Sequence, residues 1–149
     1  MGLVYILGAF ALFIAGGIVW GELKLRRLRN KRHGDAFGRE HFIEAFRRMG
    51  VPDHIPAAVY DYYGSQRQLK NFPFSSDDTY SDIWHDDPED IDADATALAA
   101  RLGMLIPPEY VRKQYGDKPI ETLREMVLWL DWMRQHQPKS SESVVDSAS

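Results

Sequence analysis

The chain opens on one unbroken apolar run and afterwards spaces its apolar residues three and four apart. Leu3 to Trp20 reads LVYILGAFALFIAGGIVW, eighteen residues without a charge. At a helical rise of ~1.5 Å per residue this run spans about 27 Å, close to the roughly 30 Å hydrocarbon core of a bilayer. The run predicts a single transmembrane helix over residues 1–21, with the Trp20 indole at the interface. Gly8, Ala9, Ala11, Ala15, Gly16 and Gly17 give it small surfaces, but only Ala11 and Ala15 form a small-xxx-small pair. No basic residue precedes Leu3 and no A-x-A site follows the run, so a cleaved signal peptide is not expected.

Beyond the run the spacing is helical. Residues 22–36 continue as a charged, helical collar that Gly34 interrupts. An additional amphipathic helix is expected within 37–52, where Phe42, Phe46 and Met49 fall at i, i+4, i+7 beside Ile43 and Ala45, and Gly50 stops it. A third helix starts near Ile55, with Pro56 in its first turn and Ile55, Val59, Tyr62 and Tyr63 as its apolar line. QRQLKNFPFSSDDTY reads as a long loop with Phe72 and Phe74 plugged into the core; loops of this length are pinned or functional. Asp87 as N-cap, Pro88 at the first position and Glu89 and Asp90 behind it start the next helix. Its buried stripe is Ile91, Ala95, Leu98 and Leu102, and Gly103 ends it. IPPEYVRKQYGD is a connector with a short helix around Glu109 to Gln114. Thr122-x-x-Glu125 is a capping box that opens the last helix. That helix carries Leu123, Met126, Val127, Leu130 and Met133 inward, flanked by Trp129 and Trp132. Residues 137–149 are polar, Ser-rich and expected to be disordered. The pattern contains no strand of useful length and no internal repeat.

Charge changes the picture by its distribution. Residues 21–50 hold nine Lys/Arg against four Asp/Glu, and residues 51–149 hold nine against eighteen, within a net charge of −4. The cations Lys24, Arg26, Arg27, Arg29, Lys31 and Arg32 follow the apolar run. Basic flanks stay on the cytoplasmic side, which predicts the N-terminus outside and the domain in the cytoplasm of a bacterial inner membrane. The same six residues are the candidate membrane-surface contacts, attracted to anionic headgroups. An acidic domain repels phosphates, so nucleic acid is not an expected partner.

Candidate chemistry is sparse. The chain has no cysteine, which removes disulfides, thiolate metal sites and a cysteine nucleophile. Asp90, Asp92 and Asp94 have the 1, 3, 5 spacing of a calcium loop, but Ala95 stands where that loop needs glycine and Arg101 where it needs glutamate. The five histidines, His33, His41, His54, His85 and His136, are scattered; Glu40, His41 and Glu44 share a helical neighbourhood without a third ligand of matching geometry. No nucleophile elbow, phosphate loop, zinc-protease or dinucleotide signature occurs.

The segment from Ile55 to His136 resembles an acyl carrier protein. Ile55, Val59 and Tyr62 match its first helix, SDDTYSDIW its loop before the second helix, and Leu98, Leu102 and Ile106-Pro107 the Ile-Pro end of that helix. Ile120-Glu121-Thr122-Leu123 is similar to the opening of its last helix. The resemblance implies an acyl-carrier-like helical bundle over 53–136. It departs at the position that bears phosphopantetheine: a carrier has serine there, and this chain has Pro88, without a hydroxyl. No phosphopantetheine or other cofactor is therefore expected. Families of uncharacterised bacterial proteins keep this fold without the serine, and the chain looks like them. Carriers meet basic partner surfaces through acidic residues of the second helix, a role the resemblance implies for Asp87, Glu89, Asp90 and Asp94; the same acids could instead fold back on the basic collar.

The expectation is thus an all-α chain: a single transmembrane helix, a collar, an added helix and a degenerate carrier bundle. Its function is expected to be non-catalytic and membrane-tethered, docking a protein with a basic surface and touching membrane lipid. The alternative is an accessory that binds acyl chains or lipid non-covalently.

Overall fold

The computed structural model describes residues 2–32, 37–65, 69, 72–83, 88–105 and 120–137, with side chains at all of these except 2–4, 9–12, 14, 18, 88 and 89. Among them the chain is helical and contains no strand: α1 (Gly2–Lys31), α2 (Arg39–Arg47), α3 (His54–Gly64), α4 (Tyr80–Ile83), α5 (Pro88–Arg101) and α6 (Leu123–Gln135). Thr79 and Thr122 form an isolated antiparallel bridge. The calls on the 106–119 connector and the tail from residue 138 onward lie outside the described residues.

The predicted apolar stripes form one core. Helix α3 is its axis and packs against α2, α5 and α6. Phe46, Ile55, Val59, Tyr63, Leu98, Leu123, Met126, Leu130 and Met133 are fully enclosed. Phe72 and Phe74 enter the same core from the loop, as expected of large rings in a polar stretch, and Tyr60 stands edge-on between Phe42 and Phe74, at centroid distances of 5.4 and 5.2 Å. Such rings bury large apolar areas and prefer tilted contacts. The Tyr63 hydroxyl meets that of Tyr80 at 3.1 Å inside the core, and burial first, then Tyr80, pushes the Tyr63 phenol well above its ordinary range.

Helix ends follow the sequence signals. Thr122 Oγ1 accepts from the Glu125 N–H at 3.2 Å and Glu125 accepts from the Thr122 N–H at 3.0 Å, a reciprocal capping box. Pro88 is the first helical residue of α5. Gly50 and Gly103 have φ of +82° and +67°, left-handed values open to glycine at low cost, and each turns the chain off its helix. At Gly50 that turn corrects one expectation. Helix α2 stops at Arg47, the Phe46 carbonyl accepts from Met49 and Val51 N–H, and Met49 swings out to 49% exposure while Val51 fills the core place instead. The four-residue helix α4 inside the predicted loop was not expected; it follows from backbone bonds of Asp82 and Ile83 back to Thr79.

Helix α1 runs continuously through the apolar run and the collar, about 45 Å for its 30 residues. Leu25 and Leu28 pack on the core, whereas Tyr5, Ile6, Leu7, Phe13, Val19 and Trp20 are exposed. Among the described residues no helix is long and apolar enough to cross a membrane.

The capping box gives a direct test of the fold. Thr122→Ala is expected to cost about 1 kcal/mol in urea unfolding, against about 3 kcal/mol for the buried Leu130→Ala. Equal, negligible effects would contradict this assignment of the core.

Candidate functional site

The loop between α3 and α5 is held where the collar, the core and the start of α6 meet. The Asp78 carbonyl accepts from the Leu123 N–H at 3.1 Å, the Tyr80 N–H donates to Glu121 at 3.0 Å, and the Arg124 N–H donates to Ser76 at 2.8 Å. These bonds lace the loop to the first turn of α6. The Asp78 side chain accepts from the Ser75 N–H at 2.7 Å. It also receives both arms of Arg32: Nη1 donates to Oδ2 at 2.8 Å and Nη2 to Oδ1 at 2.5 Å. Nη1 also donates to the Pro73 carbonyl at 3.0 Å. The two side chains are only 15% and 6% exposed. The guanidinium lies over Phe37 and Phe72, 5.5 and 5.8 Å from their centroids. An Arg–carboxylate fork of this kind is strong and directional.

The six collar cations therefore separate by helical face. Arg32 is enclosed against the domain rather than presented to a membrane surface, because Asp78 and Pro73 satisfy its donors. Lys24 Nζ pairs with Asp82 at 2.7 Å, and Arg29 lies over the Phe72 ring at 5.9 Å. Arg26 pairs with Glu22 one turn away, at 2.9 Å. Arg27 and Lys31 have no ion-pair partner among the described residues; with Trp20, Leu23, Lys24 and Leu28 they line a groove of about 400 Å³.

Of the four acids expected to dock a partner, the structure describes the side chains of two, Asp90 and Asp94. Asp90 is exposed on α5, and Asp92 beside it is exposed as well. Asp94 is half-buried and accepts from the Tyr62 hydroxyl at 2.5 Å, so it serves the contact between α3 and α5. Arg101 stacks over the other side of that contact, 4.8 Å from the Tyr62 ring centroid. Asp87 and the Glu89 side chain lie outside the described residues. Asp90, Asp92 and Asp94 belong to one continuous helix, so the calcium-loop spacing is not in a loop. No cluster of three His, Asp or Glu side chains suited to a metal occurs among the described residues. His41, His54 and His136 are exposed, and His33 and His85 lie outside the described residues.

A second charged network ties α2 to α3. Arg39 donates to both Asp61 oxygens at 2.8 and 2.9 Å, and Arg47 holds Asp53 and Glu44. The hydrogen bond from Arg39 keeps the Asp61 carboxyl below its usual range, that from Arg47 does the same for Asp53, and that from Arg48 does so for Glu44. Neither the Arg32–Asp78 pair nor the Asp94–Tyr62 contact was picked out by sequence reasoning; Asp78 and Asp94 are two of nine carboxylates from Asp77 to Asp94, and neither carries a local signal.

No protein-family model matches the chain, and comparisons with curated proteins and with solved structures return no significant match.

Two measurements follow. Arg32→Ala and Asp78→Ala are each expected to cost about 3 kcal/mol, because each leaves a buried charge unpaired, and the double variant to cost clearly less than their sum. Strict additivity in a double-mutant cycle would show the pair to be uncoupled. The acids of the α2–α3 network have folded values below their unfolded ones. Their stabilisation is complete above about pH 4.5 and is lost as the pH falls through the depressed values. Wild type is expected to melt above an Arg39→Gln/Arg47→Gln variant at pH 7, and the gap to close toward pH 2 and at high salt.

Proposed function

We propose that the chain is a non-catalytic interaction module, tethered to a bacterial inner membrane by the first two thirds of α1 and built on a degenerate acyl-carrier-like bundle. One observation carries the reading: large apolar side chains from Tyr5 to Trp20 stand exposed on a helix whose other end packs on the domain through Leu25, Leu28 and Arg32. Isolated exposed apolar residues are ordinary, but a helix that presents them without a covering partner marks a membrane or protein contact. The uncharged sequence from Leu3 to Trp20 has the length and composition for the membrane. The basic residues after it favour an outside N-terminus and a cytoplasmic domain.

Pro88 opening α5 supports the non-carrier side of the reading, since a phosphopantetheine transfer needs a hydroxyl at that helix start. The exposed Asp90, with Asp87 and Glu89 next to it in sequence, is the docking element for a basic partner surface; Asp94 is occupied by Tyr62. Complementary charge of this kind speeds and orients encounter more than it tightens binding. The alternative, an acyl chain held between the helices, meets a core filled by Tyr63, Phe72, Phe74 and Tyr80.

Membrane attachment is tested in cells. The full chain is expected to stay in the pellet after carbonate washing. The chain has no cysteine of its own, so Gly2→Cys and Ser140→Cys report sidedness cleanly. An impermeant maleimide is expected to label the first in intact spheroplasts and the second only after lysis. Release by carbonate, or labelling of Ser140→Cys from outside, refutes the tether or its orientation.

A further inference from the structure

We infer that the groove along α1 formed by Trp20, Leu23, Arg27 and Lys31 is a site for the headgroup of one anionic phospholipid. The inference rests on the membrane reading of α1 and goes further, by dividing the collar into cations that hold the domain and cations that hold lipid. Arg32, Lys24 and Arg29 face the domain, and Arg26 has Glu22. Arg27 and Lys31 line the groove and, like Arg29, have no acidic partner among the described residues. Its volume of about 400 Å³ is in the range of small-molecule sites. The apolar wall, Trp20 and Leu23, is more than two fifths exposed at each residue and continues the exposed apolar surface of the helix.

Depth agrees with chemistry. With the Trp20 indole at the interface, the ~1.5 Å rise puts Lys24 about 6 Å, Arg27 about 10 Å and Lys31 about 16 Å further from the hydrocarbon. The headgroup layer on each face is roughly 5 to 8 Å deep. Helical side chains lean toward the N-terminus, here toward the membrane, so Arg27 reaches back to phosphate level, while Lys31 stays beyond the headgroup layer and adds attraction to an anionic surface through its field. Arg27 brings a planar fork suited to phosphate oxygens and Lys31 a point charge. Leu23 and Trp20 border the start of the acyl chains. A zwitterionic headgroup would bring its own cation against the two, which selects an anionic lipid.

The test is native mass spectrometry of the full chain in detergent, titrated with phosphatidylglycerol, phosphatidylcholine or free glycerol phosphate. Wild type is expected to retain one phosphatidylglycerol in preference to phosphatidylcholine. Arg27→Gln and Lys31→Gln are each expected to weaken this roughly fivefold, and the pair about twenty-five-fold. Arg48→Gln, which removes one exposed cation outside the collar, is the matched control and is expected to leave it unchanged. Equal binding of phosphatidylcholine, an unaffected double variant, or glycerol phosphate binding as tightly as the lipid overturns the site. Carbonate retention of the same variants separates the two readings. A double variant that stays in the membrane but loses selectivity supports the headgroup site. Wild type that washes off the membrane yet binds phosphatidylglycerol through Arg27 and Lys31 keeps the site and removes the anchor.

Discussion

The fork between Arg32 and Asp78 is the interaction on which the rest of the arrangement depends. Taking both charges out of water costs several kcal/mol per ion, and only good geometry with further hydrogen bonds offsets that cost. Here the bonds are present: two between the pair, one from Arg32 to Pro73 and one from Ser75 to Asp78. Asp78 is also the residue whose carbonyl caps the first turn of α6 through Leu123. One aspartate therefore joins the collar, the loop and the last helix. Removal of Arg32 would leave a buried carboxylate at the point where three segments meet, so the loop that carries Phe72 and Phe74 into the core is coupled to the helix that leaves the domain.

Placing the pair there changes what the basic collar is for. A collar that only set topology would have its cations distributed around α1 without regard to the domain. Instead three of the six are turned to the domain, each toward a different group: a buried carboxylate, an exposed carboxylate and an aromatic face. The acids they meet, Asp78 and Asp82, lie in the loop and in α4 and not on α5. The acidity of the domain is thereby divided: Asp78 and Asp82 hold α1, Asp77 pairs with Arg124 of α6, and Asp90 on α5 keeps its exposure. Fold-back on the collar and docking through α5 are compatible for this reason, since they use different carboxylates.

Much of this was legible in the sequence, and the rest was not for a common physical cause. Helices α3, α5 and α6 follow from apolar spacing of three and four, and from a capping box, a helix-opening proline and two glycines that need left-handed backbone. Phe72 and Phe74 were legible as plugs because large rings in a polar loop have nowhere else to go. These are local signals. The Arg32–Asp78 pair spans 46 positions, and Asp78 is one of nine carboxylates in a run where each looks alike until a partner is supplied. Asp94 was read as a docking acid through the carrier resemblance, and its hydroxyl partner 32 residues away in α3 carried no local signal. Met49 failed for a smaller reason: the helical period was carried two residues past Arg47, where α2 ends and the turn into Gly50 begins.

A hydrophobic patch would have attached α1 to the domain as firmly as the ion pair does, so the choice of a fork has to be explained by something other than strength. Leu25 and Leu28 bury area but tolerate rotation and sliding, since apolar contact has no direction. A bidentate guanidinium–carboxylate contact fixes two distances and a plane, and Lys24 with Asp82 fixes a third point two helical turns away. Together they set the rotation of α1 about its own axis as well as its position. That rotation decides which stripe of the collar faces outward. With Arg32 turned in, Arg27 and Lys31 line the groove on another side of α1. The consequence is a domain whose distance and attitude to the end of the apolar run are set by the chain itself, so that a partner meeting Asp90 would meet it in a defined place relative to that end.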